Sequence, residues 1–176
     1  TKSCLDLADA VAKNANLGAW ESGESFTDSI GMTDWHTEAM NRFAECRVLH
    51  ELFLDIRPDM KEIKRNFRKS YKSLISSGMK AWQINVVTES NQKVWDEYRA
   101  LHFQVAGRRT RSSKSWQMQH QEIEERRALL VILRNQEGRL VGGGFFRISR
   151  DEGVYSVGVY DRELFDKPLG HVVQYR

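Results

Sequence analysis

The chain has 176 residues, 40% of them hydrophobic and 10% aromatic, with a net charge of +3. That is enough apolar material for one good core or two small ones, and no stretch is compositionally disordered. The modest charge argues against a nucleic-acid coat protein. Two cysteines, Cys4 and Cys46, are too few for a disulfide framework or a zinc site and fit a reducing, cytoplasmic compartment. No window approaches the roughly 18 apolar residues that a membrane span requires, and the start lacks a basic-then-apolar signal pattern, so no membrane insertion is expected.

In chain order, Leu5, Ala8, Val11 and Ala12 fall at helical spacing and predict a first helix that fades at Asn14 to Gly18. Residues 18–31 read as loop. Asp34 can cap a helix carrying Trp35, Met40, Phe43 and Ala44, and the apolar run 48–56 reads as a strand. Pro58 suits the first turn of the next helix, where its missing N–H is harmless. In that helix Ile63, Phe67, Tyr71, Leu74, Ile75 and Met79 share one face, and Lys61, Lys64, Arg65, Arg68, Lys69 and Lys72 crowd the remainder. Gly78 is expected to end it in a left-handed turn.

A strand over 83–88 follows, then a helix opened by Ser90 and Asn91, with Val94, Trp95, Tyr98, Leu101, His102 and Val105 as its buried stripe. After the arginine-rich loop Gly107–Arg111, Ser112 or Ser113 caps a helix through Trp116, Met118, His120 and Ile123. Strands over 128–133, 140–149 and 154–160 are separated by the turns Asn135–Gly138 and Asp151–Gly153, which makes an antiparallel meander. Pro168 to Arg176 opens a last helix. Gly142, Gly143 and Gly144 lie in a strand with no helix behind them, so phosphate-loop fingerprints fail. A bulge or a close backbone approach is the expectation there.

Several residues could carry chemistry. Arg68 and Lys72, one turn apart, could clamp a phosphate or simply form a solvated face. Arg108, Arg109 and Arg111 crowd one loop, where an anionic ligand, or Glu122 or Glu125, would relieve their mutual repulsion. His102 lies on an apolar stripe and reads as a hydrogen-bonded core residue before a base. His171, beyond Pro168 and Gly170 at a helix start, is a candidate proton acceptor. Asp161, at the end of the last strand, is a candidate general base, with Tyr155 or Tyr160 orienting substrate; turn chemistry and an ion pair with Arg162 is its other reading. Neither cysteine has a histidine at a recognisable spacing, no serine sits in a glycine-flanked elbow, and the carboxylates form no metal-ligand motif.

Four segments carry a family likeness: Leu52-Phe53-Leu54-Asp55-Ile56; Arg68, Lys69, Lys72 and Gly78; Arg139-Leu140-Val141-Gly142-Gly143-Gly144-Phe145-Phe146; and Asp161 with Lys167-Pro168-Leu169-Gly170-His171. With the order strand, helix, helix, three antiparallel strands, helix, residues 48–176 resemble the FemABX and BioF2-like branch of the GNAT acyltransferases. The resemblance implies an α/β (α+β) fold with a GNAT-like mixed sheet flanked by helices. Residues 1–82 would be the remnant of a first unit and 83–176 a second unit, incomplete at its C-terminal end.

It also implies N-acyl or aminoacyl transfer, by direct attack and without a covalent enzyme intermediate, to an amine of a sugar or peptidoglycan precursor, nucleotide-linked, in cell-envelope or polysaccharide biosynthesis. Catalysis would fall to Asp161, His171 and Tyr155, and substrate binding to Arg68, Lys72, Arg108, Arg109, Arg111, Tyr160 and Lys167. Acyl-CoA and aminoacyl-tRNA are the candidate donors, with no permanently bound cofactor. The usual GNAT pyrophosphate loop is missing near 161–171, so acetyl-CoA is not specifically implied. An unfinished sheet edge would allow self-association. The alternative is a non-catalytic binding protein for RNA or an anionic glycan, using the basic segments with Trp82, Phe103 and Trp116 nearby.

Overall fold

The structure is a computed structural model that describes residues 2–20, 33–42, 44–45 and 53–176. The chain divides into two compact units, Thr1–Leu54 and Asp55–Arg176. The boundary therefore falls well before the expected 82/83, because the basic helical segment packs against the C-terminal helix of the second unit.

In the first unit α1 (Lys2–Asn14) and α2 (Asp34–Asn41) are joined by Arg42, whose guanidinium reaches Asp6 at 2.9 Å and Glu38 at 3.1 Å. The cap of α2 is Thr33, which accepts from the His36 amide, rather than Asp34. Phe43 lies outside the described residues, as do positions 48–52 of the expected strand. Positions 53–56 of that strand are exposed and unpaired. The Asp55 carboxylate instead accepts three hydrogen bonds from Arg57, one from its amide and two from its guanidinium, the shortest at 2.7 Å.

The second unit begins with two helices where one was expected: α3 (Met60–Asn66) and α4 (Lys69–Ala81). Asp59 caps α3 by accepting from the Glu62 amide at 2.9 Å, which leaves Pro58 outside the helix. Phe67 and Arg68 adopt extended backbone angles that break the run, and Lys72 Nζ donates to the Arg65 carbonyl at the freed end of α3 (2.9 Å). Gly78 does not end α4. It is buried in the helix interior, and a Cβ there would lie 2.2 Å from Val172 Cγ2 and 2.8 Å from the Pro168 carbonyl oxygen. Close approach of two helices, not a left-handed turn, is what requires glycine.

The remaining elements are β1 (Gln83–Val87), α5 (Gln92–Ala106), α6 (Ser113–Glu124), β2 (Ala128–Arg134), β3 (Leu140–Ile148), β4 (Gly153–Tyr160) and α7 (Leu169–Tyr175). Asn91 and Ser112 cap α5 and α6 as their sequences predict, and Gly107, at φ +65°, ends α5 in the left-handed conformation. The four strands pair in the order β1-β2-β3-β4, antiparallel throughout. The fold is thus α+β as expected, but its sheet is an antiparallel meander rather than mixed.

Helices α5 and α6 cover one sheet face with Trp95, Tyr98, Leu101, Trp116 and Ile123 against Leu130, Ile132, Phe145, Val157 and Val159. On the opposite face α7 places Leu169, Val172 and Val173 against Val131, Leu133 and Val141. The α6 stripe keeps Trp116 and Ile123 but differs from the expected one between them: Met118 is 55% exposed and Gln119 is buried in its place.

Gly78→Ala gains about 1 kcal/mol of helix propensity but forces α4 off α7, a misfit of about 1–3 kcal/mol. Chemical denaturation should therefore show net destabilisation. A stabilised variant would mean that α4 does not seat on α7.

Candidate functional site

The middle of β3 is bare backbone, and aromatic rings occupy the space. On the α5 side, a Cβ at Gly143 would come within 3.2 Å of the Tyr98 ring, which lies fully buried over it. On the α7 side, Cβ atoms at Gly142 and Gly144 would come within 2.9 Å of the Tyr160 and Tyr155 rings. Close approach, one of the two expectations for this triplet, is thereby realised.

Tyr155 and Tyr160 are five positions apart, an odd spacing that in a regular strand points side chains to opposite faces. Here the register slips: Phe145 pairs with Val157 while Phe146 pairs with Tyr155, which leaves Ser156 as the extra residue of a β-bulge. The slip brings both phenols to one face, with their hydroxyls 2.8 Å apart. Gly158 lies between them, and a Cβ on it would displace the Tyr155 hydroxyl. Tyr155 is 38% exposed. Burial, then the bond to Tyr155, pushes the Tyr160 phenol well above its ordinary range, so Tyr160 stays protonated. On the other face Tyr98 is likewise pushed up, chiefly by burial, and its hydroxyl donates to the Val157 carbonyl at 3.2 Å. Three phenols and one bulge thus converge on the outer strand.

The other predicted site residues are dispersed. Asp161 is 4% exposed, and both of its carboxylate oxygens are engaged: one receives Arg139 Nη1 at 2.7 Å and the other the Glu163 amide at 3.1 Å. Its ion pair is with Arg139, not Arg162. His171 packs edge-on against Tyr71 of α4, with centroids 4.8 Å apart, while the preceding Gly170 adjoins the Tyr160 hydroxyl. Lys167 pairs with Asp166 at 2.9 Å. Arg68 sits at the α3–α4 break and Lys72 serves as a cap, so the two no longer share an unbroken helix face.

Arg108, Arg109 and Arg111 gather around a recess of about 370 Å³ between the end of α5 and the start of α6. Neither expected carboxylate joins them. Glu122 pairs with Arg147 at 2.9 Å, and Glu125 with Arg127, whose hydrogen bonds hold the Glu125 carboxyl below its usual range. Arg111 instead lies over the Trp116 ring, 5.3 Å from its centroid, and 3.4 Å from His102 Nε2. His102 is half-buried, and burial first, then Arg111, lowers its pKa.

Sequence reasoning missed the bulge at Ser156 and the reach of Tyr98 to β4. A signal existed: the apolar positions Val154, Val157 and Val159 change phase between the first two, which a regular strand cannot do. Among the described residues no group of histidine, cysteine or carboxylate side chains is placed to hold a metal ion, and no helix is long and apolar enough to cross a membrane. No family model matches the chain, and no curated protein matches it either.

The His102 shift has a defined pH consequence. The unfolded chain takes up this proton near the ordinary value of 6.5 and the folded chain only lower, so the unfolded state binds more protons between the two. Stability is then lost as pH falls from 6.5 through the folded value. Urea titrations of His102→Gln should show a shallower loss over that window than the parent chain. Equal slopes would mean that His102 titrates as a free imidazole.

Proposed function

We propose that the chain carries the catalytic strand of an N-acyltransferase of the FemABX and GNAT type, acting on an amine of a sugar- or peptidoglycan-type acceptor. What supports this reading is the bulge at Ser156 beside the paired hydroxyls of Tyr155 and Tyr160, on a strand whose outer edge is free among the described residues. A bulged residue leaves the ladder, so its backbone N–H is available to another acceptor. An acyl carbonyl laid along β4 would meet that N–H, and its oxyanion would be stabilised as the amine adds. The amine nitrogen forms the new C–N bond, the C–S or C–O bond to the donor breaks, the leaving atom takes a proton, and the proton that the amine releases replaces it.

Tyr155 is the group placed to supply that proton. It is the exposed member of the hydroxyl pair, 2.8 Å from Tyr160, which can take up or return a proton between them. Asp161 contributes by fixing the end of the strand rather than by taking a proton, since both of its oxygens are occupied. The element order, with two helices after β1 and one after β4, is the order on which the resemblance rests, whereas the sheet is antiparallel and not mixed. The donor is a thioester such as acyl-CoA, or an aminoacyl-tRNA ester.

A second reading is favoured by a separate observation: Arg108, Arg109 and Phe103 are all exposed beside one recess, as in a protein that binds RNA or an anionic glycan without chemistry.

The test is a transfer assay with an amino sugar as acceptor and either acetyl-CoA or aminoacyl-tRNA as donor. Tyr155→Phe should lower kcat by about 10²-fold with KM little changed, the lower end of the range for a proton-transfer group. Ser156→Pro, which deletes the bulge N–H, should abolish turnover while the fold persists by circular dichroism. Transfer by neither donor, or wild-type rates in both variants, would overturn the proposal.

A further inference from the structure

The recess at the α5–α6 corner has a charge balance that its own fold does not neutralise. Its walls include the guanidinium groups of Arg99, Arg108, Arg109 and Arg111 and a single carboxylate, Asp96, which Arg99 Nη1 already holds at 3.1 Å. No carboxylate pairs with Arg108, Arg109 or Arg111 among the described residues. The Nε atom of Arg99 is buried without a hydrogen-bond partner, a condition native proteins rarely leave unanswered. One cation beside the end of α5 would complement the helix dipole. Three that face a common hollow exceed that role and repel one another, unless an anion comes between them.

The remaining walls say what kind of anion. Ser113, the first residue of α6, lines the same hollow, so the positive end of a 12-residue helix adjoins it. Phe103 is 58% exposed on the rim although its helix neighbours Tyr98 and Leu101 are buried. A flat apolar ring beside free guanidinium groups accommodates a ligand with an oxyanion at one end and a planar group at the other. The tetrahedral, doubly charged phosphate ester offers more acceptor oxygens to these donors than a carboxylate does.

We propose that this recess binds the phosphate group of a small phosphorylated molecule, with Arg108 and Arg109 as the clamp and Phe103 as the shelf for the group it carries. The site lies apart from the Ser156 bulge. Arg111 over Trp116, and Trp116 edge-on to Tyr98 at 6.3 Å, connect it to the hydroxyl that holds Val157. Binding there is independent of whether β4 performs acyl transfer.

Titration calorimetry of the whole chain tests this at fixed ionic strength with phenyl phosphate, inorganic phosphate and benzoate as probes. Phenyl phosphate should bind most tightly, inorganic phosphate next and benzoate least. Arg108→Ala combined with Arg109→Ala should weaken phenyl phosphate at least about 10-fold, the scale of a lost charge-assisted pair. Arg109→Lys should recover part of that, since it keeps the charge without the fork. Phe103→Ala should erase the advantage of phenyl phosphate over inorganic phosphate, and Arg150→Ala, an exposed arginine elsewhere, should change nothing. An equal loss in Arg150→Ala, tighter binding of benzoate, or a single-stranded RNA oligomer that binds while phenyl phosphate does not, would each overturn the proposal. No acyl donor enters the measurement, so its outcome is separate from that of the transfer assay.

Discussion

The arrangement of the sheet follows from one absence: three consecutive residues of β3 have no Cβ. Side chains there would keep helices and rings at the usual packing distance on both faces. Their absence lets Tyr98 lie against the backbone on one side and Tyr155 and Tyr160 on the other. A strand interior made of glycine is normally weak, because it has nothing to pack and loses more backbone entropy on folding. Here the packing is supplied by phenol rings from α5 and β4, so the weakness is offset by large apolar surfaces, each with a polar tip directed at β4. The convergence of three hydroxyls on one strand is thus a consequence of the bare backbone beside it.

The bulge and the glycines act together. Without the extra residue at Ser156 the two β4 tyrosines would face opposite ways, and without Gly158 a side chain would stand between them. The hydroxyl pair therefore depends on two independent local features, a register slip and a missing methyl group. Local departures from regular geometry that are supported by their surroundings are where function is commonly found.

Much of the fold was legible because its signals are local. Asn91, Ser112 and Gly107 cap helices through their own side-chain or backbone chemistry, and the turn at Asn135–Gly138 closes with its glycine at φ +79°. The misreadings share a different cause. Gly78 was expected to stop a helix because the methyl of Val172 that requires it is nearly a hundred residues away, and the break at Phe67 was hidden within a continuous apolar stripe. Gln119 is buried in place of Met118 because positions 116, 119 and 123 share one helix face and 118 falls off it. At the candidate sites, residue types could be read but partners could not. Arg139, not Arg162, finds Asp161, and Arg127 and Arg147 take the glutamates expected to serve the loop arginines.

The pair between Arg139 and Asp161 is lopsided: the carboxylate is enclosed and the guanidinium half in water. Arg139 belongs to the turn between β2 and β3, whereas Asp161 begins the connection from β4 to α7. An enclosed charge abandoned by its counter-ion is far more costly than an exposed one. Loosening of that hairpin and undocking of the C-terminal helix are consequently one cooperative event, and amide hydrogens in the two segments should share a single opening free energy.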